Sequence, residues 1–399
     1  MFRRLLPLTF AVFAIGTDSF VVAGVLPDVA GSLHVGVGSA GQMVTAYSLA
    51  YAICSPLIAV LAARWTRNRV LLTGLTVFIL ANVATALAPD FALVIVFRIL
   101  AGVGAAAVTP GATVAGASLA PPEKRAQALS IVTAGLSVAT ALGAPLGTFI
   151  GSHFGWRSTM WFVAAVGALA AVGTAAFLQK IPAPPAVPWQ RRLAPLGNPR
   201  IALTLLGSLL FFTGNYVINT YISQVFHRAT DGNGTTLAVL LLASGIAGAI
   251  GSFASGPLTD RLGNRGMIVI AALVAAVDFA VTPWAGAALG TAFAAVIVWG
   301  LSGFSLIVPL QHRLITISPA DAQLSISLNS SVIFVGASLA GVVGAAGLDL
   351  VGGENLGFIG AAFFVAGLIV AELTHVLIRR HNTAAERVAA AGEPQTAGT

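Results

Sequence analysis

Four charged residues lie inside long apolar stretches: Asp18, Arg98, Asp278 and Glu372. Charge among apolar residues is costly, and it is kept where it faces a cavity, a partner or a proton path. Asp18 lies eight residues from one end of its stretch and Arg98 seven from the matching end of its own. On helices that is about 12 Å and about 10 Å of depth. A carboxylate and a guanidinium at one depth are the materials of a proton site, or of a static pair that merely holds two helices together. The cation keeps the acid ionised until their contact weakens. Asp278 stands mid-stretch, where a protonated carboxyl bonding to a neighbouring helix is expected. Glu372, His375 and Arg379 share one helix face near the end of the last stretch, where they are expected to snorkel in a structural role.

Polar side chains recur at helical spacing in other stretches. Tyr47 and Tyr51, Asn215 and Asn219 with Tyr216 beside them, and Ser325 and Asn329 each form an i,i+4 pair; Gln311 ends another stretch. Such pairs share a face. A mostly apolar cavity with a few amides and phenols suits a small amphipathic molecule. Bonding between helices is the plainer account of the same residues.

Other chemistries find little support. Gly303-Phe-Ser305 hints at a nucleophile turn, but no partnered base follows and there is no HExxH, so an enzyme is not expected. Cys54 stands alone and the six histidines are scattered, so neither a disulfide nor a metal site is expected, and no cofactor. Gly36-Val-Gly38-Ser-Ala-Gly41 matches a dinucleotide fingerprint, but no strand precedes it and no acid follows about 20 residues later. It reads as a helix entry with Ser39 near the N-cap.

The elements that carry these residues follow from composition. Of 399 residues 57% are hydrophobic and 8% charged, against roughly 25% charged in soluble domains. A soluble enzyme, a nucleic-acid-binding protein and a disordered chain are thereby excluded. Twelve apolar runs appear, at about 5–26, 39–62, 70–88, 91–118, 126–149, 157–178, 200–222, 237–258, 267–287, 289–311, 323–346 and 357–378. They lack the alternation of barrel strands and have helical length, so an all-α membrane protein with twelve transmembrane helices is expected. With twelve spans, 17 of the 20 Lys and Arg fall on one side and only Arg157 and Arg228 on the other. That asymmetry predicts a cell membrane protein with both termini cytoplasmic. It also explains the net charge of +7 without nucleic acid.

Residues 181–199 are proline-rich and basic, which predicts an extended cytoplasmic linker between six-helix bundles at 1–180 and 200–380. The tail 381–399 is expected to be disordered. The halves echo each other: Leu61-Ala-Ala-Arg64 and Leu258-Thr-Asp-Arg261 end the second span of each. Paired, pseudo-symmetric six-helix bundles place a transported molecule between them near the midplane.

Several motifs then converge on one family. Gly256-Pro-Leu-Thr-Asp-Arg-Leu-Gly-Asn-Arg265 resembles the loop signature of the major facilitator superfamily, and Ala59–Arg69 is a degenerate copy with Ala63 where the family has Asp. Arg98-Ile-Leu-Ala-Gly102-Val-Gly104 is similar to its buried-arginine motif. Gly143-Ala-Pro145-Leu-Gly147 is similar to the motif of proton-coupled antiporters. Gly16-Thr-Asp18-Ser-Phe20 through Pro27, with Val308-Pro-Leu-Gln311, resembles the drug:proton antiporter group that includes chloramphenicol-efflux and sugar-efflux proteins. The resemblance implies a monomeric transporter that exports a small amphipathic compound in exchange for protons by alternating access, with a sugar or nucleoside exporter as the alternative. It implies proton coupling at Asp18 and Arg98, which it places on cavity-lining helices. Substrate contacts are then expected at Tyr47, Tyr51, Asn215, Tyr216, Asn219, Gln311 and Asn329. Gating is expected at Arg64, Asp260, Arg261, Arg265, Gly143, Pro145 and Gly147. Asp260 is expected to meet the N-terminus of the fifth helix near Ala126.

Overall fold

A computed structural model of the chain describes residues 2–62, 64–121, 124–178 and 189–392. Among these the regular elements are helical, as backbone groups in hydrocarbon require. Eleven helices among the described residues are long and apolar enough to cross a membrane. One of them, Gly234–Ala285, has 52 residues and breaks at Gly263, whose φ of 72° lies outside the helical region. Arg228, just before this helix, donates to the Pro283 carbonyl in its last turn. Its two ends therefore lie together, and it is two antiparallel spans.

We label twelve spans α1 (Leu5–Leu33), α2 (Val37–Leu61), α3 (Arg67–Leu87), α4 (Phe91–Ser118), α5 (Gln127–Phe154), α6 (Trp156–Phe177), α7 (Pro199–Thr220), α8 (234–262), α9 (264–285), α10 (Leu289–Ile317), α11 (Pro319–Val351) and α12 (Gly353–His381). The chain is thus an all-α membrane protein.

Some boundaries differ from expectation. α1 continues through Pro27 to Leu33. The α8–α9 loop expected at 259–266 shrinks to Gly263, because a glycine there accepts the left-handed φ that turns the chain. α12 runs on helically to Gly392, where disorder is expected from 381. Trp189–Leu193 is helical and Ala194–Gly197 forms a 3-10 turn, where an extended spacer is expected. Pro195 is tolerated there because it lies in the first turn. Pro199 opens α7, while Pro182, Pro184, Pro185, Pro188, Ala63 and the last seven residues lie outside the described residues. The helix after Gly36 starts at Val37, so Gly36 is the N-cap and Ser39 lies inside the first turn.

The packing repeats every six spans. In the first half α1 packs on α5 and α6, α2 on α4 and α3 on α6; in the second, α7 packs on α11 and α12, α8 on α10 and α9 on α12. The halves meet along α2–α11 and α5–α8, which are themselves mates under the repeat. Small residues permit these crossings. A Cβ on Gly341 would strike Thr45, one on Gly38 would press Ala345, and one on Gly245 would strike the Thr140 and Ala141 backbone.

The two ends of the molecule differ. The basic end gathers Arg64, Lys124, Arg200, Arg261 and Arg379; the far end carries the α1–α2, α5–α6 and α11–α12 turns. Toward the far end the halves are sealed, and Gly234 of α8 seats on Ser152 of α5. Toward the basic end they part: no residue of α2 from Ile53 to Ala62 is buried, and on α11 from Pro319 to Val335 only Ser325 and Asn329 are. The far-end arginines tie helix ends. Arg157 donates to the Ala88 carbonyl at the end of α3 at 3.0 Å, and Arg228 to Pro283 at the end of α9. Both satisfy carbonyls orphaned at a helix C-terminus.

Candidate functional site

α5 brings the first half together around Asp18. Pro145 has no N–H to return to the Ala141 carbonyl, and residues Ala139–Gly143 just before it form a π-helical turn. Gly143 and Gly147 then lie so close to α1 that a Cβ on either would strike Thr17 or Val21. The opposite side of the same turn receives Gly245 of α8. The motif expected to gate therefore lies between α1 and the second half.

Asp18 of α1 and Arg98 of α4 are in direct contact. Nη1 of Arg98 lies 2.7 Å from Oδ1 of Asp18, and their side chains are 1% and 0% exposed. The Arg98 guanidinium also stands 4.6 Å from the centre of the Tyr47 ring of α2. The Tyr47 hydroxyl accepts a 3.2 Å hydrogen bond from Ser19. Tyr47, expected at the substrate, thus lies against the ion pair. Asn82 of α3 is fully buried and neighbours the Asp18 carboxylate. Its amide donates to the Phe78 carbonyl at 3.1 Å. Oδ2 of Asp18 and Oδ1 of Asn82 have no hydrogen-bond partner among the described residues. An ion pair of this kind holds two helices together while leaving one acid oxygen available to a proton.

Two stacked aromatic pairs join the halves. Tyr51 of α2 lies face to face with Phe334 of α11, ring centres 3.6 Å apart. Phe20 of α1 lies nearly parallel to Tyr216 of α7 at 6.2 Å. Beyond Tyr51 toward the basic end the two faces part, so these rings form the floor of the opening.

The remaining expected contacts are spread out. Asn215 is buried, and its Nδ2 occupies the space a Cβ on Gly303 would need, beside Trp299. Asn219 and Gln311 are half-buried without side-chain hydrogen bonds among the described residues. Asn329 is fully buried, and both its amide atoms, Ser325 Oγ and Trp299 Nε1 lack partners there.

At the basic end Arg64, Asp260 and Arg261 are exposed. Asp260 forms neither an ion pair nor a side-chain hydrogen bond among the described residues, including the described start of α5. Arg265 instead holds Glu372 with both carboxylate oxygens, Nε at 3.0 Å from each. Glu372 therefore has a cationic partner on α9, beyond the snorkelling face expected of it. The Asp278 carboxyl is buried and, among the described residues, makes none of the interhelical bonds expected for it. Ser305 donates to the Ser302 carbonyl within its own helix. Among the described residues no three His, Cys, Asp or Glu side chains gather as a metal site.

Sequence reasoning missed Asn82, Phe20, Phe334 and Tyr221. Asn82 carries a legible signal, as an amide inside an apolar run. The rings carry none, because a lone Phe in a membrane helix has no distinguishing period. Tyr221, just past α7, donates at 2.6 Å to the Gly341 carbonyl of α11 and at 3.4 Å to Gly38 of α2, and its ring occupies the space a Cβ on Gly41 would need.

The family model described as Major Facilitator Superfamily matches residues 8–323. The chain is 29% identical over 378 residues to the inner membrane transport protein YdhP of Escherichia coli (strain K12), covering 94% of each. It is 32% identical over 261 residues to a chloramphenicol resistance protein of Streptomyces lividans, covering 64% of this chain and 66% of that one. A probable sugar efflux transporter of Mannheimia succiniciproducens is 25% identical, with 92% of each covered. Among solved structures, a point mutant of the nucleoside transporter NupG aligns with a TM-score of 0.76 at 14% identity, over 93% of this chain and 98% of that one.

Proposed function

For this chain, which belongs to the major facilitator superfamily, we propose a proton-coupled exporter of a small, amphipathic, drug-like compound. The carrying observation is the fully buried Asp18–Arg98 pair, with one carboxylate oxygen that has no hydrogen-bond partner among the described residues. A proton on Asp18 removes the charge that Arg98 holds and loosens α1 from α4. α1 also meets the second half through Phe20–Tyr216, so loosening changes how the halves meet. Coupling follows if Asp18 loads its proton from one side and releases it to the other as residues 1–180 rock against 200–380. The substrate enters between the halves, displacing the Tyr51–Phe334 stack, and finds apolar rings with few polar groups. The chloramphenicol resistance relative supports the drug-like class. The charge asymmetry supports cytoplasmic termini, with the parted end facing the cytoplasm.

The test is efflux from proteoliposomes over a panel of compounds, with and without a pH gradient. Export that depends on the gradient, and loses that dependence in Asp18→Asn, is expected. Export of every compound unchanged by the gradient overturns antiport.

A second reading, export of a sugar or nucleoside, is favoured by the unpartnered buried groups of the second half: Trp299 Nε1, Ser325 Oγ and the Asn329 amide. Such groups suit a hydroxyl-rich ring. Saturable efflux of a sugar or nucleoside, abolished by Asn329→Leu, distinguishes it.

A further inference from the structure

A cavity of about 560 Å³ lies within the second half at its basic end, between the start of α7, the α8–α9 corner, α10 and α12. It is apart from the opening between the halves. Its lining includes Arg200, Arg265, Arg313, Thr316, His375 and His381. Glu372, one turn before His375 on α12, is engaged by Arg265. Three arginines thus face one committed carboxylate.

Arg313 makes the arrangement unusual. It is only 4% exposed. No carboxylate lies within ion-pair distance of it among the described residues, and its hydrogen bond goes to the Ala371 carbonyl at 3.2 Å. One neutral acceptor is poor compensation for a buried cation with five N–H donors. The donors left over border the cavity, which also receives Arg200 from α7 and two imidazoles from α12. The planar fork of arginine matches phosphate oxygens in pairs. The volume falls within the usual range for a small ligand.

We propose that this cavity binds a phosphate group, with Arg313 and Arg200 as its principal ligands. The group belongs either to an anionic lipid headgroup at the membrane surface or to a free phosphate compound. The site is independent of proton coupling at Asp18, so either can fail without the other.

The test uses the full chain in phosphatidylcholine nanodiscs, reading thermal unfolding. One arm titrates inorganic phosphate at constant ionic strength; the other replaces part of the phosphatidylcholine by phosphatidylglycerol. Stabilisation by phosphatidylglycerol alone supports a headgroup, and stabilisation by inorganic phosphate supports a free phosphate compound. Arg313→Met and the more accessible Arg200→Gln are each expected to weaken half-saturation about tenfold, while Arg313→Lys, which keeps the charge and loses the fork, restores only part of it. Arg125→Gln, at the same end of the other half, is expected to change nothing. If neither probe stabilises the protein, or if Arg200→Gln responds as the unsubstituted chain does, the proposal is overturned.

Discussion

Arg98 stands over the Tyr47 ring, 4.6 Å from its centre, while its Nη1 holds Asp18. One cation therefore ties α4 to α1 through charge and to α2 through an aromatic face. The cation–π part contributes on the order of 1–2 kcal/mol when desolvated. Tyr47→Leu is expected to cost about that much stability, and Tyr47→Phe less, since the ring remains and only the bond from Ser19 is lost. Denaturation of the two variants in one detergent checks the order.

Removing one member of the buried pair costs more than removing both. Arg98→Met leaves an uncompensated carboxylate and is expected to destabilise by about 3–5 kcal/mol. The double variant Arg98→Met with Asp18→Asn is expected to recover most of that loss. A double-mutant cycle on unfolding temperature measures it; equal losses in both would remove the pair as an energetic unit.

Tyr221 fastens the sealed end. Tyr221→Phe removes one of the donors to the buried Gly341 carbonyl, which keeps that of Gln42, at a cost of about 0.5–1.5 kcal/mol. The population is expected to shift toward separation at the far end. Spin labels at His34, in the α1–α2 turn, and at Leu350, at the far end of α11, should report a longer distance.

Gly245 is expected to tolerate no bulk at the crossing between the halves. A Cβ there would strike the Thr140 and Ala141 backbone, which cannot rotate aside. Gly245→Leu should hold α5 and α8 apart and abolish transport while the protein still inserts and folds. A substitution to Leu with normal transport would contradict the closeness of that crossing.

Much of this is legible in the residues. Apolar run length and the Lys/Arg asymmetry reveal the spans, because hydrocarbon forces length and charge into register. The Asp18–Arg98 contact follows from matched depth, since depth along a helix is readable by counting. Which face a side chain presents to which neighbour is not. Tyr47 and Tyr51 are one turn apart, yet one braces an arginine and the other stacks on the opposite half. The Arg265–Glu372 bond joins residues 107 positions apart, and no local pattern announces it. Gly263 is readable as part of a turn, but not as the whole of one.

That single glycine has a mechanical meaning. One residue reaches at most about 3.6 Å, so the basic ends of α8 and α9 share a joint without slack. α8 touches the first half at α5, while α9 is packed on α12 and tied to it by Arg265 and Glu372. A displacement imposed at the α5 crossing therefore meets no spare chain at this corner to absorb it before α9 and its tie to α12.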